Sequence, residues 1–376
     1  MFPITNFSPV EAQKQILGAD RARAAYQTLE SPSLDYAAQA NGLVQSQETR
    51  VSGKMQVLQN SQKLQEAWLG IVGNAGPQTR PLYTQVENER VAVAHPSLSP
   101  LVRVKGNEVQ GDPNVTNAFV TANQVDEMAS EHLGRDIRYR SQDGRLHIRL
   151  ADGEGGPHHT RTSGTITLPN NGGLTSGDDA DVIAHEQGHA ILDAQRPELR
   201  PGHVNEAMNE AFGDTTAMFH AFQSKEVRAD TIKRWEAGDR SGLVARIGEG
   251  GATNLIPGNT DPTAGFRDLS KAPPTEPDAE IPDGHIASVK FSSAMYSNVQ
   301  DVYDKIRQRN PGLSKDDALS LAAERVGSDF FRATDRMKPG SQLTQSDLAQ
   351  GVMRANGVGQ KGGLHEIYQR NFEQAG

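Results

Sequence analysis

The chain has 376 residues and no cysteine, with 38 basic and 47 acidic side chains and a formal charge of −9. Phosphate backbones are bound by clustered Lys and Arg, so this acidic balance argues against a nucleic acid or an anionic membrane as partner. The lack of cysteine excludes disulfides, thiol nucleophiles and thiolate zinc sites. Any metal must therefore be held by histidines and carboxylates. No run approaches the roughly 20 apolar residues that span a bilayer, so no membrane insertion is expected.

The first 76 residues are rich in Gln, Ala, Ser and Leu and carry two amphipathic helical patterns, Val10–Leu29 and Lys54–Ile71. The N-terminus lacks the charged start and apolar run of a signal peptide. A Pro- and Gly-rich junction at Gly73–Tyr83 then predicts a domain boundary.

Short runs of β character follow this junction and surround one helix, predicted at Pro113–His132, where Asp112 is a suitable cap. From Asp178 onward the pattern is mainly helical, apart from a long loop predicted at Gly248–Gly284. The predicted strands are Val91–Ala94, Leu101–Val104, Ile137–Tyr139, Leu146–Leu150 and Thr165–Leu168.

The segment DVIAHEQGHAILDAQRP, Asp181–Pro197, carries a metal-ligand pattern on a predicted helix. Residues four apart share one face of a helix, so His185 and His189 can direct their rings toward one zinc ion. Glu186 is offset around the helix and is placed to act on a water molecule at the metal, as in the HExxH pattern of metallopeptidases. Two histidines alone are also consistent with an ordinary acidic surface helix. A catalytic zinc site needs a third protein ligand.

A second predicted helix, Val204–Phe222, offers that third ligand beside an apolar stripe. Glu210 follows His189 by 21 residues, which is enough for a turn and a returning antiparallel helix. Asp214, one turn further, can accept a hydrogen bond from the outer nitrogen of a ligating histidine. Glu206 is a rival ligand, but its neighbour one turn on is Glu210 rather than an aspartate. The pattern of ligand plus orienting carboxylate therefore favours Glu210.

Together, DVIAHEQGHAI and NEAFGD resemble the thermolysin family of zinc endopeptidases, in which a glutamate is the third metal ligand. The resemblance implies that His185, His189 and Glu210 bind zinc. It also implies that Glu186 is the catalytic glutamate and that Asp214 supports a ligand histidine.

Two later segments extend the resemblance, which covers the chain from Pro81 to the C-terminus. PDGHIASVKFSSAMY, Pro282–Tyr296, is similar to the active-site-histidine segment of the family. It implies that His285 donates to the oxyanion, with Glu280 or Asp283 holding its ring. GFRDLS resembles the arginine segment that holds the substrate carbonyl, which implies that role for Arg267.

Several positions depart from the family pattern. Gly213 stands where the family usually has Ser, which we interpret as a minor change. No tyrosine occurs between Ala190 and Asn209 to assist the oxyanion. His203 or Arg200 is a candidate substitute. The calcium-binding carboxylate of the family falls on Ala221, so Ca²⁺ binding is doubtful.

The edge-strand segment that binds substrate in the family is not recognisable before the HExxH helix. The chain has only GGPHHTRTSGTITLP, Gly155–Pro169, in that place. His158 and His159 are candidate metal ligands in that segment, but adjacent histidines in a polar loop are usually exposed, and we expect this of both.

The implied fold is α+β and two-lobed, with a zinc cleft between the lobes. A mixed α/β N-terminal lobe, residues 77–197, ends in the HExxH helix, and a mainly helical lobe, residues 198–376, follows. Residues 1–76 are either the inhibitory pro-segment of a zymogen or an export or partner-binding segment. The resemblance implies a secreted protein, although without a visible signal peptide non-classical export or a cytoplasmic location stays open.

The expected activity is hydrolysis of peptide bonds in a protein or peptide substrate, with one Zn²⁺ per chain. Two other classes of function stay open. One is a metalloprotease-fold protein that has lost catalysis and acts as a binding or effector module. The other is a helical adaptor without metal, in which the HExxH pattern is a coincidence. Zinc content separates the adaptor from the other two.

Overall fold

Helices packed on a mixed β-sheet make up most of the chain that the structure, a computed structural model, describes. Predictions for residues 1–76, His203, Arg200 and Glu280 lie outside the described residues. The described residues are 81–83, 85–87, 90–94, 102–105, 108–111, 113–152, 156–171, 174–175, 179–197, 206–248, 267–271, 283–337, 343–356 and 364–375.

The larger sheet has the strand order β2-β3-β6-β8-β7, and β9 also pairs with β8. Strands β3, β6 and β8 run parallel, whereas β7 and β9 run antiparallel to β8. A smaller antiparallel sheet has the order β1-β4-β5. The strands are β1 (Pro81–Tyr83), β2 (Gln85–Glu87), β3 (Val91–Ala94), β4 (Val102–Lys105), β5 (Glu108–Gly111), β6 (Leu146–Asp152), β7 (His158–Thr160), β8 (Thr165–Asn171) and β9 (Leu174–Thr175).

The predicted strands are largely confirmed. Val91–Ala94 is a strand with those bounds, and the other strand predictions are confirmed with shifts of a few residues, except one. The strand predicted at Ile137–Tyr139 is wrong. The backbone N–H of Tyr139 donates to the carbonyl of Gly144 in a local turn, so it is not available to a neighbouring strand. β7 was not predicted.

The helix predicted at Pro113–His132 is confirmed and runs one residue further. The long loop predicted at Gly248–Gly284 contains a short strand, β11 (Arg267–Asp268), which pairs with β10 (Arg246–Ile247). The helices are α1 (Pro113–Leu133), α2 (Ala180–Gln195), α3 (Glu206–Ala221), α4 (Lys225–Glu236), α5 (Gly284–Arg309), α6 (Lys315–Phe331), α7 (Ala333–Arg336), α8 (Gln345–Ala355) and α9 (Leu364–Ala375).

Helix α2 begins where its sequence predicts. The Asp179 carboxylate accepts hydrogen bonds from the backbone N–H groups of Asp181 and Val182, which is the usual arrangement of an N-cap. The helix ends at Gln195, two residues before Pro197, which cannot continue it. Nearly every residue of α2 is buried because the helix packs against α1, α3 and the sheet at β7 and β8.

Helix α3 packs on both α2 and α5. The apolar core of the described residues is one continuous cluster, which includes the sheet residues Ile148 and Ile166 and the helical residues Phe212 and Phe330. The fold is thus mixed and mostly helical, and the predicted division into residues 77–197 and 198–376 stays a prediction. Among the described helices, none combines the length and apolar character of a membrane span.

Candidate metal centre

The structure brings the three predicted ligands together where α2 and α3 pack. His185 and His189 lie on α2, Glu210 lies on α3, and one ligand atom from each is within 4.8 Å of the others. His185 Nε2 lies 3.1 Å from Glu210 Oε2, and His189 Nε2 lies 3.5 Å from Glu210 Oε1. Atoms that bind one zinc ion tetrahedrally, each about 2.0–2.1 Å away, are roughly 3.3 Å apart. The spacing therefore fits one small cation.

Glu210 Oε2 shows that the group suits a metal. This buried oxygen is in charge contact with the Nε2 atoms of His185 and His285, at 3.1 and 3.3 Å. The imidazole nitrogens and the carboxylate thus converge on one point, where a cation would bind them directly. Two imidazoles and one carboxylate are a common donor set for catalytic zinc. The residues therefore fit a zinc ion.

The charges around the two imidazoles differ. Burial and Arg267 lower the pKa of His185, but Glu210 and Asp214 outweigh them and raise it to about 10. Burial lowers the pKa of His189, which keeps that ring neutral, the form that coordinates metal. A field that stabilises a proton on His185 also stabilises a divalent cation at the same place.

Glu186 is 6% exposed, and its Oε2 is buried without a hydrogen-bond partner in the part of the chain that the structure describes. It follows His185 on α2, yet it is not one of the three grouped ligands. Its carboxylate is thus available to hold something other than the metal.

Asp214 connects four elements behind the His185 ring and is fully buried. Its Oδ1 lies 2.9 Å from His185 Nδ1, as the sequence predicts for an orienting carboxylate. It also accepts from Arg267 Nε at 2.6 Å and from Ser288 Oγ at 3.0 Å. Burial raises the pKa of Asp214, but Arg267 and His185 outweigh that effect and lower it. The ionised carboxylate therefore fixes Nδ1–H on His185 and leaves Nε2 for a metal. Ser288 is the serine of the segment GHIAS, which the sequence analysis quoted without giving it a role.

Arg267 lies beside the same ring. Its NH2 is 3.1 Å from His185 Nδ1, and its side chain is 10% exposed. These contacts are those of a residue that supports Asp214. The substrate role predicted for Arg267 stays a prediction.

His285 approaches the group from the first turn of α5. Its Nδ1 lies 2.9 Å from Asp283 Oδ1, so Asp283 is the acid that holds it. Its Nε2 faces Glu210, and its side chain is 53% exposed. The structure thus places one solvent-accessible imidazole next to the buried group.

Glu206, the rival ligand, is not part of the group. It is exposed at the start of α3, and a Cβ added to Gly284 would overlap its Cγ. The side chain of Glu206 therefore lies over the start of α5.

The interpretation of Gly213 as a minor departure is wrong. A Cβ at this position would lie 2.7 Å from Nδ1 and Cε1 of His185, closer than real Cβ contacts come. The ring therefore occupies the space that a side chain at position 213 would need. Sequence spacing alone does not reveal this contact, because it arises between two helices.

The expectation that both histidines before α2 are exposed is wrong for His159. Its side chain is 5% exposed, and its Nδ1 lies 3.7 Å from Asp193 Oδ2, while Arg161 binds Asp193 at 2.5 Å. Opposite residues of antiparallel strands share a face, and His159 is opposite the core residue Ile166, so its ring points inward. Burial lowers the pKa of His159 to about 3 and raises that of Asp193 to about 6. Strand β7 has only three residues, two of them histidines, so it lacks the run of four to eight β-branched and aromatic residues that predicts a strand.

Comparison with known proteins gives a limited result. No protein-family model matches the chain, and no curated protein sequence is significantly similar to it. Among solved structures, it is similar to the precursor of protealysin, a metalloproteinase from Serratia proteamaculans, with a TM-score of 0.48 and 13% sequence identity. The alignment covers 84% of this chain and 93% of that chain. This likeness assigns no role to any residue of the present chain.

Proposed function

We propose that this protein is a zinc-dependent endopeptidase in which His185, His189 and Glu210 hold the metal and Glu186 is the general base. One observation carries the proposal: His185, His189 and Glu210 form a buried group in which one ligand atom of each residue lies within 4.8 Å of the others. Glu186, whose buried Oε2 has no hydrogen-bond partner among the described residues, directly follows the first ligand, His185.

The proposed mechanism divides the reaction among the side chains around the group. Bound zinc supplies Lewis acidity to the substrate carbonyl and to water. Glu186 takes the proton of the attacking water and passes it to the nitrogen of the leaving amine. His285, held by Asp283, donates from Nε2 to the carbonyl oxygen as negative charge develops there. Arg267 is proposed to hold the substrate carbonyl next to the scissile bond.

A second candidate function is a metal-binding module without catalysis. The sequence supports it at one point, because no tyrosine occurs between Ala190 and Asn209 to assist the oxyanion. In that case zinc would stabilise the packing of α2 on α3, and the protein would act through binding alone. The two candidates agree on the metal and differ in the role of Glu186.

Metal analysis and a hydrolysis assay separate these candidates. We expect one zinc per chain by mass spectrometry of the purified protein, and its loss in the His185→Ala variant. We also expect hydrolysis of a casein-type substrate. A chelator should abolish it by removing the zinc, and Glu186→Ala should abolish it while the zinc content stays unchanged. The Glu206→Gln variant is the matched control for removal of a nearby carboxylate. Unaltered zinc in His185→Ala would reject the site, and zinc without hydrolysis would favour the module.

Secretion and maturation are further parts of the proposal and rest on the family resemblance of the sequence. The substrate is proposed to be protein or peptide, and residues 1–76 are proposed to be removed from a zymogen. N-terminal sequencing of the active protein tests this directly. An active protein that still begins at Met1 would reject the pro-segment and favour an export or partner-binding segment.

A further inference from the structure

Gln187 lies between the two histidine ligands in the chain and begins a buried polar network that leads away from the metal. Its Nε2 donates to the carbonyl of Ala122 at 2.9 Å and to the hydroxyl of Tyr139 at 2.9 Å. The Tyr139 hydroxyl donates in turn to Asp126 Oδ1 at 2.9 Å. Arg90, at the start of β3, binds the other oxygen of Asp126. The network therefore joins α2 to α1, to the turn after α1 and to the sheet.

The direction of each hydrogen bond in this network is fixed by its chemistry. The Ala122 carbonyl can only accept, so the amide nitrogen of Gln187 must face it. Burial raises the pKa of Tyr139 well above its usual value, so its hydroxyl keeps the proton that it donates to Asp126. Gln187 and Tyr139 are both almost completely buried. Among the described residues Gln187 Oε1 already lacks a partner, and a rearrangement that broke these bonds would leave further buried polar groups unpaired, each typically at a cost of about 1–3 kcal/mol.

The position of Gln187 on α2 allows the network to restrain rotation of this helix about its axis. At 100° per residue, Gln187 points to the side of the helix opposite His185 and His189. An atom about 5–6 Å from the axis moves about 1 Å when a helix turns by about 10°. Zinc sites tolerate deviations of only about 0.2 Å in ligand distance. A small rotation of α2 would thus be enough to misplace both imidazoles relative to Glu210.

We propose that Gln187 is a positioning residue that, through Tyr139 and Asp126, fixes the rotation of α2 and so presents His185 and His189 to the metal. This inference rests on the proposed function for the identity of the metal site. The affinity for zinc would then depend on two supports of the ligands. One is Asp214, which holds the His185 ring, and the other is Gln187, on the side of α2 that faces away from the metal.

Two variants remove the hydrogen bonds while keeping the size of the side chains: Gln187→Met and Tyr139→Phe. The matched control is Tyr368→Phe, because the buried Tyr368 hydroxyl also donates to a buried aspartate, Asp329, at 2.9 Å. Tyr368 lies on α9, and its bond to Asp329 joins α9 to α6 rather than to the ligand helix. Gln187→Met and Tyr139→Phe each lose two buried hydrogen bonds, Tyr368→Phe loses one, and all three are expected to lower the melting temperature.

The deciding measurements are the zinc dissociation constant and the visible absorption spectrum of the Co²⁺-substituted protein. We expect Gln187→Met and Tyr139→Phe to weaken zinc binding about tenfold, the lower end for residues that orient metal ligands, and to change the Co²⁺ spectrum. The double variant should be little worse than either single one, since both break the same chain. Tyr368→Phe should leave both readouts unchanged.

Two further outcomes separate this inference from the proposed function. If both variants lower the melting temperature but leave zinc affinity and the Co²⁺ spectrum at wild-type values, the network only stabilises the fold and the inference is rejected. If the wild-type protein binds no zinc, the proposed function fails. The long-range ¹H–¹⁵N NMR signals of the His185 and His189 rings then decide: a shift in both variants supports positioning, and unchanged signals reject it.

Discussion

Gly188 of α2 and Gly213 of α3 face each other where the two ligand helices cross. A Cβ on Gly188 would lie 2.8 Å from the Cα of Gly213, and a Cβ on Gly213 would lie 2.7 Å from the ring of His185. Real Cβ atoms essentially never come that close to another atom. The two glycines therefore set the separation of the helices, and this separation lets Glu210 reach the histidines of the other helix.

The Gly213→Ala variant tests this contact. The added methyl group has to displace the His185 ring, whose Nδ1 is bonded to Asp214. The variant should therefore change the position of this metal ligand more than it lowers the stability of the fold. We expect zinc binding to weaken by about 10–100-fold, as for loss of a residue that orients a ligand. Isothermal titration with zinc measures it. Gly312→Ala is the matched control, because a Cβ at Gly312 has no atom within 4 Å. Equal zinc affinity in the two variants would contradict the interpretation.

The parts of the site that depend on local spacing could be predicted from the sequence. His185 and His189 are four residues apart on one helix, and a helix fixes their common direction. Glu210 and Asp214 are likewise four residues apart on one helix. The packing of this helix against the first is the part that local spacing does not determine. The structure brings these four side chains together.

The parts that depend on contacts between elements could not be predicted. Tyr139 is in a short segment of strand character, Ile137–Tyr139, yet its hydroxyl belongs to a buried network with Gln187 and Asp126. His159 is in a polar segment, yet the register of β7 turns it inward. In both cases tertiary contacts override a local pattern, and a single sequence contains no direct signal of them.

The choice of Glu210 over Glu206 as metal ligand gives a sharp pair of variants. Both residues are glutamates on α3, but only Glu210 is grouped with the two histidines, whereas Glu206 is exposed. We expect Glu210→Gln to lose bound zinc and all hydrolysis, and Glu206→Gln to keep both within about twofold. Atomic absorption on the two purified proteins measures the metal. Loss of zinc in Glu206→Gln with retention in Glu210→Gln would reverse the assignment.

His285 should affect the reaction without affecting the metal. Its ring touches the ligand group only at Glu210, and it is proposed to stabilise the oxyanion. Removal of one such donor typically lowers kcat by about 10²–10³. We expect His285→Ala to show this loss with zinc content and KM nearly unchanged. Asp283→Asn should have a smaller effect, because asparagine still caps α5 but no longer carries the charge that holds the ring. A large fall in zinc content in His285→Ala would instead make His285 a ligand.

Two buried histidines far from the metal group should make the fold sensitive to mild acid. Burial, with a contribution from Arg332, lowers the pKa of His132 to about 3, and burial lowers that of His220 to about 4. In the unfolded chain both titrate near their ordinary value of about 6.5. Below that pH the unfolded state binds protons that the folded state does not, so the free energy of unfolding falls as the pH falls from about 6.5 toward 4.

Each of these histidines contributes a slope of up to about 1.4 kcal/mol per pH unit in that range. Asp193 acts in the opposite sense below pH 6, because burial raises its pKa and the folded state takes up its proton first.

The test therefore compares the slope of the unfolding free energy against pH between a variant and the wild type. His132→Phe keeps a ring for stacking on Phe331, 5.4 Å away between centroids, and removes one titrating group. Urea unfolding between pH 7 and 4.5 should show a slope shallower by about 1 kcal/mol per pH unit in this variant than in the wild type. An equal slope would mean that His132 takes up its proton over the same pH range in the folded and the unfolded protein, because only a difference in bound protons between the two states changes the slope.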